Sequence, residues 1–333
     1  MKDLQYKRYA IEHGLLKTWL RRGRGSLVKG HLQLLSALLQ PGLRFTGLRS
    51  RGEKNALTPV IREIRLGYDA LPEGFCGFKI LHLSDIHADG LAGLAECLSD
   101  SIRGLRVDLC VLTGDYRYAV SGTCHNVYPN MAKILSSVSA RYGIMGILGN
   151  HDVSEEIPEL ERMGVRMLIN EAHELRNGRD SAWVIGVDDP HYYGCDDLPM
   201  ALRDVPRHAF KILLVHTPEI IDEAEQQGVH LYLCGHTHGG QICLPWLGPV
   251  FVNANCARKF ARGVWKYGNL QGYTSPGVGT SGVPVRFFCP PEIGIIELRC
   301  TRHVTGAPSS AQHTTRSAVH QEVPAFQTLA EVR

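Results

Sequence analysis

Five times along this 333-residue chain a short apolar run stops at a carboxylate, a carboxamide or an imidazole. Phe78–Leu83 runs into Ser84-Asp85-Ile86-His87, and Asp108–Thr113 into Gly114-Asp115. Gly143–Leu148 is followed by Gly149-Asn150-His151-Asp152, Phe210–Val215 by His216-Thr217-Pro218, and Val229–Cys234 by Gly235-His236-Thr237-His238. Apolar runs of this length, bounded by glycine and polar residues, read as buried strands. Helix-like segments at about 91–104 and 131–141 separate the early runs, and a further apolar run lies at 182–187. Strands that alternate with helices and then crowd together predict an α/β domain whose sheet layers are covered by helices.

That architecture has a chemical consequence. Open α/β sheets place their ligands beyond the carboxyl ends of the strands, which is where all five polar groups stand. Asp85 and His87 are spaced i, i+2, as are His236 and His238, and in an extended chain such residues point the same way. Glycines at 235, 239 and 240 let the backbone turn tightly beside whatever the histidines hold. Taken singly the pieces mean little. An Asp-x-His is most often a turn with a helix cap, and a Gly-Asp is nearly uninformative. In this order, each after an apolar run, they form a metal-site pattern. Oxygen and imidazole donors without a thiolate suit Mn2+, Fe or Zn2+ better than Ca2+, which takes oxygen alone.

The net charge of +3 hides an asymmetry: residues 1–66 carry 14 Lys/Arg against 4 Asp/Glu, a balance of +10, which leaves −7 for residues 67–333. A basic leader points to an anionic partner, membrane or nucleic acid. Within it, Leu27–Phe45 is leucine-rich, flanked by Arg21, Arg22, Arg24, Lys29 and Arg44, and cut by Pro41-Gly42. It is shorter than the ~20 apolar residues of a membrane span. It reads equally well as an amphipathic helix on an anionic membrane or as a segment docked on the domain. Aromatic residues are few in the leader (Tyr6, Tyr9, Trp19 and Phe45), so support for base stacking is thin.

Residues 301–333 are rich in Ser, Thr, Ala and His with little apolar periodicity, and read as a disordered tail. The ten cysteines form no C-x-x-C pair, which suggests a reducing compartment rather than a disulfide framework. No signal-peptide pattern is visible. The expected location is therefore cytoplasmic, with peripheral contact at the inner face of the cytoplasmic membrane through residues 1–50. Gly277-Val278-Gly279-Thr280-Ser281-Gly282 matches a dinucleotide-binding fingerprint, but Pro284 and Val285-Arg286-Phe287-Phe288 follow where a helix would have to open. His82, inside the first strand, reads as a core histidine, and His191-Tyr192-Tyr193 as a candidate lining of the cleft.

The five motifs together resemble the calcineurin-like metallophosphoesterases, whose pattern is Asp-x-His, Gly-Asp, Gly-Asn-His-(Asp/Glu), His and Gly-His-x-His. The resemblance covers roughly residues 57–300. Asn55-Ala56-Leu57-Thr58-Pro59-Val60, Gly239-Gly240-Gln241 and Pro291-Glu292-Ile293 look like the bacterial YkuE/YaeI-like phosphodiesterase branch. The resemblance implies an α/β sandwich of two mixed β-sheets flanked by helices (αββα), with a dinuclear metal site at the strand C-terminal ends. That domain would span residues 67–300, between the leader 1–66 and the tail 301–333.

By the same resemblance, Asp85, His87 and His238 hold one metal, Asn150, His216 and His236 the other, and Asp115 bridges them. Two divalent ions are implied, Mn2+ first and Zn2+ or Fe as alternatives, with a hydroxide between them attacking a phosphodiester or pyrophosphate bond in line. His151 is expected to steady the transition state or protonate the leaving oxygen. Asp152 is expected either to orient the His151 ring or to cap the helix that starts near Glu155. Where many members carry a further acidic residue after Gly-Asp, this chain has Tyr116-Arg117-Tyr118, and Arg117 becomes a candidate phosphate clamp. Some relatives cleave UDP-2,3-diacylglucosamine, a pyrophosphate-linked lipid that a membrane-bound leader would bring within reach. Two alternatives stay open. One is a nuclease or cyclic-nucleotide phosphodiesterase; the other is a non-catalytic interaction protein on the same scaffold, although such scaffolds have lost ligands that this chain retains.

Overall fold

The computed structural model describes residues 2–14 and 46–301, apart from 121 and 251. The leucine-rich segment at 27–45 and the tail from 302 onward lie outside these residues. In chain order the first seven strands are β1 (Val60–Tyr68), β2 (Lys79–Leu83), β3 (Arg106–Val107), β4 (Leu109–Leu112), β5 (Ser139–Ala140), β6 (Ile144–Gly146) and β7 (Val165–Met167). There follow β8 (Glu171–Asn177), β9 (Asp180–Gly186), β10 (Phe210–Leu214), β11 (Leu231–Cys234), β12 (Cys243–Leu244), β13 (Gly248–Pro249), β14 (Gly263–Tyr267), β15 (Leu270–Thr274) and β16 (Glu292–Cys300). Two six-stranded sheets result, in the orders β1-β16-β2-β4-β6-β7 and β14-β15-β11-β10-β9-β8. Both are mixed: β2, β4, β6 and β7 run parallel beside an antiparallel β16, and β9, β10, β11 and β15 run parallel between antiparallel edges β8 and β14.

The period of two along each strand sorts side chains into layers. In β4, Leu109 and Val111 enter the core between the sheets, while Cys110 and Leu112 face outward. In β10, Ile212 and Leu214 face that same core and Leu213 the opposite side. The helices, in chain order, are α1 (Lys2–Glu12), α2 (Leu48–Ala56), α3 (Leu94–Ile102), α4 (Tyr128–Leu135), α5 (Ile157–Arg162), α6 (Leu198–Ala201) and α7 (Ile221–Gln226). Leu98 and Ile102 of α3, Met131 and Ile134 of α4 and Leu160 of α5 cover the first sheet. Leu198 of α6 and Ile221 of α7 cover the second. Each fully buried aliphatic side chain contributes roughly 1.5–3 kcal/mol, so these three apolar layers hold the αββα sandwich together. Among the described residues no helix is long and apolar enough to cross a membrane.

Two boundaries differ from expectation. The helix expected at 131–141 is α4, which starts earlier and ends at Leu135. Pro129 seeds its first turn, and the Ser136 and Ser137 hydroxyls return to Lys133 O, ending it before β5. The expected domain start at residue 67 falls inside β1, which pairs along its whole length with β16, from Val60↔Glu292 to Tyr68↔Cys300. Ile64, Leu66 and Tyr68 face the core while Arg62, Glu63 and Arg65 stay exposed. A count of charge assigned this amphipathic strand to the leader; its alternation makes it part of the sheet. Helix α2, with Gly52 and Ala56 buried, also belongs to the folded unit.

Candidate metal centre

The loops after β2, β4 and β6 of the first sheet and after β10 and β11 of the second converge on one buried pocket. Three groups of side chains offer ligand atoms within 4.8 Å of one another: Asp85, His87 and His238; Asp115, His216 and His236; and His87, Asp115 and His151. Asp115 Oδ2 lies 3.3 Å from His216 Nε2 and 3.7 Å from His87 Nε2, so it stands between the first two groups. His238 Nε2 is 3.4 Å from Asp85 Oδ1, His236 Nδ1 is 3.2 Å from His216 Nε2, and Asn150 Oδ1 is 2.9 Å from His216 Nε2. All seven expected ligand positions meet here.

The backbone is bent to bring them in. Nine described non-glycine residues have positive φ, and five of them are Asp85, His87, Asp115, His236 and His238. Such strain, of order 1–3 kcal/mol per residue, persists where the surroundings over-determine it and gathers at functional sites. The glycines before the ligands are fixed by space. A Cβ on Gly235 would lie 1.9 Å from Ser84 Oγ and 2.1 Å from Asp85 Oδ2, and one on Gly149 would lie 2.3 Å from Asp115 Oδ1.

The donor set fits divalent cations. His87 Nδ1 meets Arg117 O at 2.7 Å and His216 Nδ1 meets Thr113 O at 2.7 Å. Each ring therefore donates from Nδ1 and turns Nε2 toward the pocket. His216 Nε2 then faces Asn150 Oδ1 and Asp115 Oδ2, both acceptors, so positive charge, either a proton or a metal ion, is favoured among them. Burial lowers the pKa of His87 to about 3 and holds His236 and His238 well below the usual range, so these rings are neutral. At His216 burial also disfavours charge, but Asp115 and then Asp85 outweigh it and raise the pKa to about 10. Burial raises Asp85 to about 6. Two carboxylates among mostly neutral, largely buried imidazoles make a pocket that favours cations.

Several supporting residues escaped the sequence reading. His82 Nε2 donates to Thr113 Oγ1 (2.8 Å), Thr113 Oγ1 to Ser84 Oγ (2.7 Å) and Ser84 Oγ to Asp85 Oδ2 (2.7 Å). The core histidine therefore starts a relay that fixes a ligand carboxylate. Arg286 is fully buried and donates to the carbonyls of Pro276, Gly277, Gly279 and Cys289, with Nη2 3.4 Å from His238 Nδ1. The fingerprint-like loop is held by Val278 N to Ser84 O and Gly279 N to Asp85 O, a brace for the Asp85 turn. An arginine inside the apolar run 285–288 was the available signal.

Two expectations are corrected. Asp152 neither orients His151 nor caps the following helix. Its Oδ2 accepts from Asp115 N and Gly149 N and its Oδ1 from Tyr116 N, each at 2.7 Å, so it ties the Gly-Asp and Gly-Asn-His loops together. Tyr118 O orients His151 instead, at 2.6 Å from Nδ1, and Glu156 Oε2 accepts from Val153 N at the helix start. Arg117 is only 1% exposed, and its Nη2 donates to Gly122 O (3.0 Å), so the guanidinium is turned inward and cannot clamp a phosphate. Its main-chain carbonyl serves the site through His87. His191 does lie at the pocket, its ring 4.4 Å from that of His236 and its Nδ1 2.7 Å from Glu219 Oε1.

Helix α1, the start of the basic leader, also reaches this site. Arg8 is 2% exposed; it pairs with Asp188 and donates to Gly149 O (3.2 Å) and Asp152 O (2.7 Å). Its guanidinium lies 4.0 Å from the centre of the Tyr193 ring. Glu12, which pairs with Arg8 Nε at 2.8 Å, accepts from Ser154 N at 2.9 Å. At least one leader cation is thus spent inside the protein rather than on an external anion.

A profile of the calcineurin-like phosphoesterases matches residues 78–240. The uncharacterized metallophosphoesterase YkuE of Bacillus subtilis is 29% identical over 238 residues, covering 69% of this chain and 82% of that protein. Phosphodiesterase YaeI of Escherichia coli is 30% identical over 231 residues, covering 66% of this chain and 82% of that protein. A zebrafish (Danio rerio) transmembrane protein with a metallophosphoesterase domain is 28% identical over 263 residues, covering 73% of this chain and 58% of that protein.

Proposed function

This chain belongs to the calcineurin-like phosphoesterase family and is a metal-dependent phosphohydrolase, and from that footing we propose that it cleaves a phosphodiester or pyrophosphate bond in a substrate presented at a membrane. The observation that carries the reading is the meeting of Asp115 Oδ2 with His87 Nε2 and His216 Nε2 in a buried pocket. Asp85, His87 and His238 would hold one divalent ion, and Asn150, His216 and His236 the other, with Asp115 shared. Bound in this way, such ions supply Lewis-acid stabilisation of phosphoryl oxygens and bring the pKa of water toward neutrality. Mn2+ is the first choice on the mixed oxygen and imidazole donor set.

The chain's own residues do the rest. His151 has a side chain 16% exposed, unlike the fully buried rings of His87 and His216. Its Nδ1 is fixed on Tyr118 O, and its Nε2 lies 3.9 Å from Asp115 Oδ2, at the mouth of the pocket. Protonated at Nε2, it gives its proton to the leaving oxygen as the P–O bond breaks. Asp152 ties the loop that carries His151 to the Asp115 loop, while Tyr118 O sets the ring itself. The basic leader, and the membrane-associated zebrafish relative, support a lipid-borne substrate.

A substrate comparison tests this reading. With Mn2+ the purified chain should hydrolyse a generic aryl phosphodiester, and should cleave a pyrophosphate-linked lipid such as UDP-2,3-diacylglucosamine with a higher kcat/KM. Activity on the aryl diester alone would reject the lipid substrate. Activity on neither, with metal bound, would reject the reaction.

A further inference from the structure

Between Glu225 and Glu292 the sequence contains no Asp or Glu, while Arg258, Lys259, Arg262, Lys266 and Arg286 fall within it. This carboxylate-free stretch includes the His236–His238 loop and then folds outward as the hairpin β12–β13, paired Cys243↔Pro249 and Leu244↔Gly248. At its tip Trp246 is 92% exposed and Leu247 74%, with Leu244 and Val250 about half exposed beside them. Phe288, 68% exposed, joins the hairpin root, because Phe287 N donates to Gln241 O and Cys243 N to Phe287 O. Single exposed apolar residues are ordinary on soluble proteins, but a contiguous group marks an interaction surface.

The hairpin is joined rigidly to the metal loop. Gln241 N donates to His238 O, and the Gln241 side chain donates to Ser281 O and Val283 O while accepting from Ser281 N. The basic turn at Arg258–Phe260 is held to the same loop through Thr237 Oγ1, which donates to Ala261 O at 2.6 Å. Arg262 lies against it too, since a Cβ on Gly239 would come within 3.0 Å of the Arg262 Cδ, and its Nη2 turns to Glu292 Oε2 at 3.9 Å. Arg258 and Lys259 are exposed.

We propose that the β12–β13 hairpin, with Phe288, seats in the interfacial layer of an anionic lipid bilayer, and that Arg258 and Lys259 meet its headgroups. The charge decides the occupant. A tryptophan tip with aliphatic neighbours and flanking cations, in a stretch free of carboxylates, complements an anionic headgroup plane. Seated there, the hairpin holds the His238 loop toward the depth at which a lipid's phosphoester lies. The inference deepens the membrane-presented reading above and rests on it for its purpose, but binding is read without turnover, so the two fail separately.

The test uses the full-length protein and vesicles of phosphatidylcholine with or without phosphatidylglycerol. Wild type should float with the anionic vesicles at low salt and release as salt rises. Brominated acyl chains should quench a part of its tryptophan fluorescence that W246F lacks. The W246S/L247S pair should lose roughly tenfold or more of the partitioning while hydrolysing a soluble aryl phosphodiester at the wild-type rate, which also reports its folding. Unchanged flotation of that pair, or quenching that W246F retains, would overturn the proposal. So would a wild-type dimer that floats with neither vesicle and that the pair makes monomeric; that result would assign the patch to a second copy of the chain.

Discussion

Three imidazoles close on one oxygen of Asp115, and their surroundings separate them into two kinds. His87 and His216 are fully buried, whereas His151 opens toward the mouth. The account predicts that His151→Ala keeps its metal content but loses about 10²–10⁴ in kcat, the range for a lost general acid. Metal analysis beside steady-state kinetics checks this, and full activity in that variant would remove the acid role. At this scale the residues that gather in the pocket were legible in the sequence, because they sit at i, i+2 spacing or directly after strands. The roles of Asp152 and Arg117 were not. Asp152 acts on amides at 115, 116 and 149, and the reach from 152 back to 115 exists only once the sheet has formed. Arg117 turns inward while its carbonyl faces the pocket, and no spacing rule distinguishes the two.

Helix α1 is the element the sequence least foretold. Its basic composition pointed outward, yet Arg8 lies between Asp188, the Gly149 and Asp152 carbonyls and the Tyr193 ring, 141 to 185 residues away in sequence. The burial of the Arg8–Asp188 pair, 2% and 3% exposed, makes its loss costly: leaving Asp188 unpaired costs roughly 3–5 kcal/mol. Arg8→Ala should therefore lower the thermal midpoint, and should lower kcat more than it raises KM, because the Gly149–Asp152 loop carries His151. Arg8→Lys should recover only part of both, lacking the planar fork. An Arg8→Ala protein with wild-type melting and kinetics would show that the helix merely rests on the domain. The strands, by contrast, were largely legible, since each apolar run kept its period and its polar end; β1 was missed in part because its charged face resembled the leader.

For the whole molecule, the layers between and outside the sheets set the fold, and buried ionisable groups set its response to pH. Burial, and then Asp152, hold the Glu156 carboxyl at about 9, against 4.5 for an ordinary glutamate. The folded state thus binds a proton that the unfolded chain releases, so this group's contribution is full below about 4.5 and is lost as pH rises through about 9. Between pH 5 and 9, denaturant-derived stability should fall by up to about 1.4 kcal/mol per pH unit from this group. Glu156→Gln should flatten that slope, and an unchanged slope would contradict the assignment. The αββα plan and the position of the pocket followed from motif order; the paths by which loops support one another did not, because they join residues that only the folded sheets bring together. The central claim is that one shared carboxylate, Asp115, organises a two-ion site. The most direct measurement is metal content per chain of the Mn2+-loaded wild type and of Asp115→Ala, each confirmed folded. The account predicts two ions in the wild type and neither held in the variant; two ions retained in Asp115→Ala, or none in the wild type, would contradict it.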